Sequence, residues 1–407
     1  MSESLERLRG EAEALLAECV TLRRKLHANP EIGLVLPETQ KTVLEALDGL
    51  GLEIATGGKT SAVVATLRGA RPGPTLLLRA DMDALPLREE TGLEFASKRD
   101  GAMHACGHDS HVAMLATAAK LLVRRRDRIA GTLKLLFQPG EEGFGGARIL
   151  IEEGLLDAEP KIDAAFAIHV DSSTPSHVVA GRPGPILASA DVLSIDLTGR
   201  GGHASMPHLA ADPIPVAAEI VLALQSFVTR RIDAFDPAVL TIARLQSGTT
   251  ANVIPESANL LGTLRTVSEA TRTAMHEGIR SVACGIAAAH GLSAKAHIVR
   301  GYPVTVNDAG FAGFVAGVAR DLVGPARVAT MPAPLMGAED FSFILEKVPG
   351  AITFLGARAA GGEPAPLHSN RMRLDESAFA TGVALHTATA LRFFESGGVP
   401  SERGSKA

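Results

Sequence analysis

The hydrophobic and polar positions of the chain follow two different patterns. From residue 61 to residue 170, mainly apolar, strand-like runs alternate with runs of helical periodicity. A strand that is apolar throughout is typical of a parallel sheet covered on both faces. The strand-like and helix-like runs are, in chain order, 61–67, 75–79, 112–122, 132–138, 146–153 and 164–168. We therefore predict βαβ units with right-handed crossovers and a mostly parallel sheet flanked by helices, preceded by a helix over 4–27.

The pattern changes after residue 186. Residues 191–199 alternate between apolar and polar positions, as a half-exposed strand does. The segments that follow predict a helix, two strands, a helix and a strand, at 212–231, 239–246, 257–266, 269–289 and 294–299. The order βαββαβ is that of the ferredoxin-like arrangement. After residue 303 the first pattern returns, so we predict an α/β domain made of 1–186 and 303–407, interrupted by a ferredoxin-like α+β domain over 187–302.

The composition narrows the class of protein. Of the 407 residues, 46% are hydrophobic and 21% are charged, so a large core is available. Forty basic and 45 acidic residues leave a formal charge of −5, so we expect binding to neither nucleic acid nor an anionic membrane. The three cysteines, Cys19, Cys106 and Cys284, form no framework of closely spaced pairs. This usage is typical of a reducing compartment, and we predict a cytoplasmic protein.

Polar residues follow three of the predicted strands at the point where each strand ends. Asp81 and Asp83 come after the run 76–80, the pair Glu141-Glu142 follows the run 133–138, and His169 follows the run 165–168. In an open α/β sheet, ligands bind outside the carboxyl ends of the strands. We therefore predict that these side chains gather into one site along that edge.

The densest group of candidate ligands lies at residues 103–111, with the sequence MHACGHDSH. Cys106 and His108 can converge only on a turn, because residues two apart lie on opposite faces of an α-helix. Gly107 permits that turn, and Asp109 is a suitable N-cap for the helix predicted over 112–122. A thiolate and an imidazole that converge are half of a site for a divalent metal such as zinc. For an isolated Cys-x-His, a buried cysteine with an incidental histidine is the commoner outcome.

The adjacent carboxylates Glu141 and Glu142 indicate two different tasks. Neighbouring side chains in extended backbone point to opposite sides, so one can bind metal while the other accepts a proton from water. The alternative for this pair is a solvated acidic turn. Taken alone, His169 is as compatible with a core histidine as with a ligand, and His368 by itself is a weaker candidate. Five candidate ligands and one further carboxylate fit a dinuclear metal centre better than a single ion. The five are Cys106, His108, Glu142, His169 and His368.

Several of these segments resemble, in register, the M20 metallopeptidases. Within that family they are most similar to the amidohydrolase branch of hippurate hydrolases, indole-acetyl-amino-acid hydrolases and bacterial N-acyl-amino-acid amidohydrolases. The matching segments run from about residue 20 to residue 385. They include DMDALP at 81–86, MHACGHD at 103–109, QPGEEG at 138–143, GGHAS at 201–205, NVIP at 252–255, GTLR at 262–265, MGAEDF at 336–341 and Leu367-His368.

The resemblance implies two divalent metal ions per subunit, manganese or zinc, with cobalt and nickel as further candidates. Cys106, His108, Glu142, His169 and His368 would be the ligands, with Cys106 bridging the two ions. Glu141 would be the general base that takes a proton from a metal-activated water, and Asp83 would orient a ligand. The sequence does not define the roles of His104, His111, Glu339 and Asp340.

The same resemblance assigns the inserted domain as a lid through which the protein forms a homodimer. His203 of the partner subunit would polarise the scissile carbonyl, while Asn252 and Arg265 would hold the substrate, a small-molecule amide. The function implied is hydrolysis of the amide bond of N-acyl-amino acids. The alternatives are a carboxypeptidase or dipeptidase of the same superfamily and a paralogue that binds metal or ligand without catalysis.

Overall fold

A computed structural model describes residues 5–361 and 363–398 of the chain. Within these residues the α-helices are α1 Leu5–Ala14, α2 Leu16–His27, α3 Pro37–Leu47, α4 His108–Val123, α5 Gly146–Glu152, α6 Pro213–Arg231, α7 Glu269–Ala289, α8 Ala309–Val323, α9 Ser342–Leu345 and α10 Phe379–Glu395. The strands are β1 Glu53–Thr56, β2 Val63–Arg68, β3 Arg71–Asp81, β4 Ala130–Gln138, β5 Ala164–Asp171, β6 Val179–Gly181, β7 Gly184–Leu187, β8 Asp191–Thr198, β9 Gly202–His203, β10 Ala238–Ser247, β11 Val253–Ile254, β12 Ser257–Thr266, β13 Ser293–Arg300, β14 Thr305–Asn307, β15 Val328–Thr330 and β16 Gly350–Gly356. No helix in the described ranges is both long enough and apolar enough to cross a membrane.

The chain divides into two compact units. The first runs to Gly184 and continues with Val306–Pro332 and the residues from Phe343 onward, and the second consists of Pro185–Thr305 and Ala333–Ser342. Residues 333–342 were predicted to belong to the last segment of the first domain. They belong to the second unit because Ala188 donates its amide proton to the carbonyl oxygens of Leu335 (3.0 Å) and Gly337 (2.9 Å).

The first unit contains an eight-stranded sheet in the order β1-β2-β4-β3-β5-β16-β6-β15. The central pairs β4–β3, β3–β5 and β5–β16 are parallel, whereas the pairs β1–β2, β2–β4 and β16–β6 are antiparallel. Strand β16 is buried at every position, and β4 at all but its first. Burial on both faces explains why these strands show no alternation in sequence. The predicted α/β fold with a mostly parallel sheet flanked by helices is confirmed.

The second unit has the order β8-α6-β10-β12-α7-β13, with a sheet ordered β10-β12-β8-β13 in which every pair is antiparallel. Strand β8 alternates buried and more exposed positions, and its buried side chains Leu193, Ile195 and Leu197 form a core with α6 and α7. Both helices begin where the sequence indicates: Asp212 accepts from the amide of Ile214, and Ser268 caps α7 in the same way. This is the predicted ferredoxin-like arrangement.

Two predictions of local structure need correction. The single helix expected over 4–27 is two helices, because α1 ends at Ala14 and α2 begins at Leu16. At the break, the amide of Leu15 is shared between the carbonyl oxygens of Glu11 (3.3 Å) and Ala12 (3.2 Å). The short strands β1, β6 and β15 were not predicted. Strand β1 is exposed along its whole length, so it lacks the hydrophobic signal that defines the inner strands.

Candidate metal centre

The turn that joins Cys106 to His108 is built around Gly107. Gly107 has φ +83°, and a Cβ atom at this position would lie 2.5 Å from Val170 Cγ2, so only glycine fits without strain. Helix α4 then begins at His108, with Gly107 in the N-cap position. The prediction that Asp109 caps this helix was wrong, because Asp109 lies inside the first turn and its side chain is taken up by other partners.

Asp83 fixes the backbone of the two candidate glutamates. Its carboxylate accepts hydrogen bonds from the amides of Glu141 (2.9 Å) and Glu142 (3.0 Å). Its carbonyl oxygen accepts a bond from Nδ1 of His108 (2.9 Å), which leaves Nε2 of that ring facing the other candidate ligands. The side chain and main chain of Asp83 therefore orient three of the predicted site residues from the end of β3.

The five predicted ligands come together in two groups that share Cys106. One group is Cys106, His108 and His169, and the other is Cys106, Glu142 and His368. In each group the candidate ligand atoms lie within 4.8 Å of one another. The Sγ of Cys106 is 3.4 Å from Nε2 of His169, and Oε1 of Glu142 is 3.4 Å from Nε2 of His368. A residue common to both groups is what a ligand shared by two ions requires.

The atoms of this cluster fit a metal ion. Nε2 of His108 and Oε1 of Glu142 are buried and make no hydrogen bond among the described residues. These two atoms are 3.9 Å apart, and buried polar atoms without a partner carry a substantial free-energy cost. One thiolate, three imidazoles and a carboxylate form a donor set that suits a borderline divalent ion such as zinc.

The candidate ligands also carry protons whose positive charge a metal ion would replace. Burial raises the pKa of the Cys106 thiol, but His169 and His108 outweigh burial and lower that pKa to about 6. Burial lowers the pKa of His169, but the Cys106 thiolate raises it to about 9. Hydrogen bonding to Cys106, and to a lesser extent to Glu142, raises the pKa of His368 to about 10. A metal ion binds the deprotonated forms of these groups, so it competes with protons for the same positions.

His368 has a backbone conformation that is uncommon for a residue other than glycine. Its φ is +65°, in the left-handed region, and its amide donates to the carbonyl oxygen of Ala105 at 2.8 Å. This bond ties the loop that carries His368 to the residue before Cys106. Left-handed conformations in residues other than glycine are enriched at functional sites, where the surrounding structure enforces them.

Two further histidines are buried beside the cluster. His111 donates from Nδ1 to Asp81 (2.5 Å) and accepts at Nε2 from the amide of Val170 (2.9 Å), so both of its nitrogens are already used. His104 is fully buried, neither of its ring nitrogens has a hydrogen-bond partner among the described residues, and burial lowers its pKa to about 3. The structure therefore gives His111 a role in supporting the site.

A buried group of charges behind the candidate ligands was not predicted from the sequence. The carboxylate oxygen Oδ2 of Asp109 lies 2.8 Å from Nε of Arg23 and 2.7 Å from Nδ1 of His27. All three side chains are at most 1% exposed. Arg23 and His27 are four residues apart on α2, so a shared helix face was the only signal for their pairing in the sequence.

The predicted substrate-binding residues lie in the second unit. His203 is on β9 and exposed, and its Nδ1 is 2.8 Å from the hydroxyl of Ser205. The carbonyl oxygen of Asn252 accepts the amide of Ala204, so the segments of His203 and Asn252 run side by side. Arg265 lies elsewhere in the unit, half-buried on β12.

Comparisons with known proteins agree with this picture. The family model of Peptidase family M20/M25/M40 matches residues 77–392. Thermostable carboxypeptidase 2 of Saccharolobus solfataricus is 39% identical over 96% of this chain and 98% of its own length. N-acetylcysteine deacetylase of Bacillus subtilis is 38% identical over 90% of this chain and 94% of its own length. A crystal structure from B. subtilis, described as a dinuclear metal binding peptidase from the M20 family, is 34% identical and covers 94% of this chain and 99% of its own, with a TM-score of 0.82.

The chain belongs to the M20/M25/M40 peptidase family. It is a metallohydrolase of amide or peptide bonds, and its relatives include proteins named as amidohydrolases and as carboxypeptidases.

Proposed function

We propose that the protein hydrolyses the amide bond of N-acyl-amino acids at a dinuclear metal centre. The observation that carries this proposal is the pair of ligand groups that share Cys106, with Glu141 beside them. Ligand atoms of His108, Glu141 and Glu142 lie within 4.8 Å of one another, so Glu141 is close enough to the centre to exchange a proton with a bound reactant.

The side chains divide into those that hold the ions and those that act on the substrate. Cys106, His108 and His169 would hold one ion, and Cys106, Glu142 and His368 the other. When bound, two such ions supply Lewis acidity that lowers the pKa of water and polarises a carbonyl oxygen. Glu141 would take the proton of the attacking water and return it to the leaving nitrogen.

The proposed contacts with the substrate come from the second unit. Arg265 has a planar fork of donors that suits the carboxylate of an amino acid, and Asn252 would supply a further hydrogen bond. His203 of the partner subunit would stabilise the negative charge that develops on the carbonyl oxygen. This part of the proposal requires a homodimer formed through the second unit.

A second candidate is a carboxypeptidase or dipeptidase, in which the acyl group is itself an amino acid or a peptide. The relative at 39% identity, named as a carboxypeptidase, favours it. The two candidates share the released amino acid and differ in the group on the other side of the amide bond.

A substrate panel with defined metal content separates these candidates. The protein is stripped with a chelator, and manganese, zinc, cobalt or nickel is added back before assay with N-acetyl, N-benzoyl and dipeptide substrates. We expect release of free amino acid only after an ion is restored, and faster release from acylated amino acids than from dipeptides. Preference for dipeptides would favour the second candidate, and activity in the stripped protein would contradict the metal mechanism.

Substitution of the two glutamates tests the general base. Glu141→Gln keeps the size of the side chain, and we expect it to retain bound metal while losing nearly all turnover. Glu142→Gln, the matched control, should lose metal as well as turnover. Normal turnover in Glu141→Gln would remove Glu141 from the mechanism, and a binding protein without catalysis would show no turnover in the parent chain.

The contribution of His203 across a dimer can be tested by mixing. We expect Glu141→Gln and His203→Ala to be inactive alone and to recover part of the activity after subunit exchange. Exchange itself would be followed by native mass spectrometry. Verified exchange without recovery would show that each subunit uses its own His203.

A further inference from the structure

A cavity of about 150 Å³ lies in the first unit, between α8 and the strands β6, β15 and β16. Its walls are mainly apolar and include Val179, Val315, Ala316 and Ile352. Arg182 and Arg320 also line it, and none of its lining residues among the described part of the chain is acidic. The cavity therefore combines apolar walls with positive charge and has no carboxylate of its own to balance that charge.

Arg182 is the residue that gives the cavity its chemistry. Its Nε and Nη1 atoms are buried and have no hydrogen-bond partner within residues 5–361 and 363–398. Buried guanidinium donors without an acceptor are costly, so a partner for them is expected. The neighbouring amide of Asn307 is not that partner: its oxygen accepts from the amide of Ile352, and its NH₂ group donates to the carbonyl oxygens of Arg182 and Ile352.

Size and lining together define the ligand. A protein cavity of about 150 Å³ with apolar walls can hold a molecule of roughly six heavy atoms, such as benzene. An anion is needed to pair with a guanidinium, and a carboxylate is a small anion that accepts charge-assisted hydrogen bonds from arginine. We propose that this cavity binds a small monocarboxylate, which accepts from one of the two buried donors of Arg182, Nε or Nη1, and whose short apolar chain packs against Val315, Ala316 and Ile352.

The cavity is lined by the two segments where the chain leaves and re-enters the first unit. Arg182 comes two residues before Gly184, where the chain leaves the first unit, and Asn307 follows Val306, where the chain returns. The hydrogen bond from Asn307 to the carbonyl oxygen of Arg182 (3.0 Å) links these two segments. A bound carboxylate would hold both of them, so its binding should slow amide exchange there.

The test uses the full metal-loaded chain and butyrate as the probe. Binding is measured by isothermal titration calorimetry, with inorganic phosphate and chloride as separate arms. A ligand of six heavy atoms is expected to bind with a Kd of about 1 mM. Hydrogen exchange measured with and without butyrate should show protection at residues 179–182 and 307–316, which separates this cavity from the metal centre.

Three variants locate the site. Arg182→Met keeps most of the side-chain volume without the charge, and we expect butyrate to bind at least about tenfold more weakly. Ala316→Leu fills the apolar part of the cavity and should abolish binding while Arg182 remains. Arg148→Met is the matched control, because Arg148 is an exposed arginine of the same unit that does not line the cavity, and its Kd should equal that of the parent chain.

Each outcome decides the proposal. Equal affinity in Arg182→Met and the parent chain would overturn it, as would butyrate binding with protection only at the metal ligands. Binding of phosphate without butyrate would overturn the monocarboxylate assignment. The melting temperature without butyrate is a further readout. Because the proposal leaves the donors of Arg182 unsatisfied in the free protein, Arg182→Met should have a melting temperature equal to or above that of the parent chain. A loss of melting temperature there would instead indicate a structural arginine.

Discussion

Two clusters of ionisable side chains in this protein have opposite properties. In the second unit, the Asp191 cluster consists of Asp191, Arg272 and His276. Asp191 accepts from Nε of Arg272 (2.9 Å), from Nε2 of His276 (2.6 Å) and from the amide of Gly301 (3.0 Å). In the first unit, the ligand cluster of Cys106, His108, Glu142, His169 and His368 leaves Nε2 of His108 and Oε1 of Glu142 without a hydrogen bond among the residues that the structure describes. The Asp191 cluster satisfies its own buried groups, whereas the ligand cluster contains buried atoms that a cation would satisfy.

The difference shows how a structural ion cluster is told from a ligand cluster. Burial raises the pKa of the Asp191 carboxyl, but Arg272 and His276 outweigh burial and lower it, so the charges neutralise one another without any added group. In the ligand cluster, the same kind of neutralisation requires protons on imidazoles that would otherwise coordinate metal. Unpartnered buried atoms and proton uptake together are therefore the stronger sign of a metal site.

The largest expected effect comes from the residue shared by both ligand groups. Cys106→Ala should reduce bound metal from about two ions per chain to almost none and lower turnover by more than about 100-fold. The loss is this large because removing a ligand of both ions lowers metal affinity more than removing a residue that only orients a ligand. His169→Ala and His368→Ala should each lose one ion. Metal content is measured by inductively coupled plasma mass spectrometry.

Cys19→Ala is the matched control for this substitution. Cys19 is also a buried free cysteine of the first unit, but it lies outside both ligand groups. It should retain both ions. Retention of two ions in Cys106→Ala would show that Cys106 is not the shared ligand.

Breaking the Asp191 cluster should change stability and leave metal content unchanged. Asp191→Asn leaves the buried Arg272 with only Glu269, an exposed side chain 2.7 Å away, as a charge partner, which costs up to roughly 3–5 kcal/mol in the free energy of unfolding. Urea unfolding followed by circular dichroism measures this cost. Asp196→Asn, on the same strand but exposed, should cost less than about 1 kcal/mol. Loss of metal in Asp191→Asn would contradict the separation of the two clusters.

The parts of this structure that the sequence predicts are those with a local or periodic signal. Inner strands such as β4 and β16 appear as continuous apolar runs, and the ferredoxin-like order follows from alternation and helix caps. The turn at Cys106–Gly107–His108 could be inferred because two residues at this spacing cannot converge on a helix. Glu141, Glu142 and His169 were placed at one edge because they lie at the carboxyl ends of the parallel strands β4 and β5, which flank β3 in the sheet.

The parts that the sequence does not predict depend on contacts between distant residues. Asp109 is 86 residues from Arg23, and in isolation an aspartate at the start of a helix is interpreted as a cap. The unpartnered donors of Arg182 have no sequence signal at all, because they are defined by what the folded chain fails to place beside them. The attachment of residues 333–342 to the second unit likewise depends on two hydrogen bonds to Ala188.

A smaller effect is expected from the turn that holds the ligand cluster. Gly107→Ala combines a left-handed φ with a Cβ 2.5 Å from Val170, so we expect a loss of about 2–4 kcal/mol and weaker metal binding. Gly101→Ala is the control, because Gly101 has φ +76° but no atom within 4 Å of the added Cβ, and it should cost only about 1 kcal/mol. Equal losses of stability would show that the contact with Val170 is not limiting.

The effect that requires no substitution concerns the protons that a metal ion displaces from the ligand cluster. Burial lowers the pKa of His108, but Asp81 and Cys106 raise it well above its usual value, and the pKa values of His169 and His368 are about 9 and about 10. At pH 7 the stripped protein therefore holds protons on these imidazoles, whereas Cys106, with a pKa of about 6, is a thiolate and releases none. Because coordination requires neutral imidazoles, metal affinity should fall as the pH is lowered from 9 to 7, by about tenfold per pH unit for each proton released.

Zinc titrations in two buffers of different ionisation enthalpy count those protons. The same titration of Asp191→Asn should give the same number. A zinc affinity that does not change between pH 7 and pH 9 would mean that these histidines carry no displaceable protons, and the contrast between the two clusters would then rest on geometry alone.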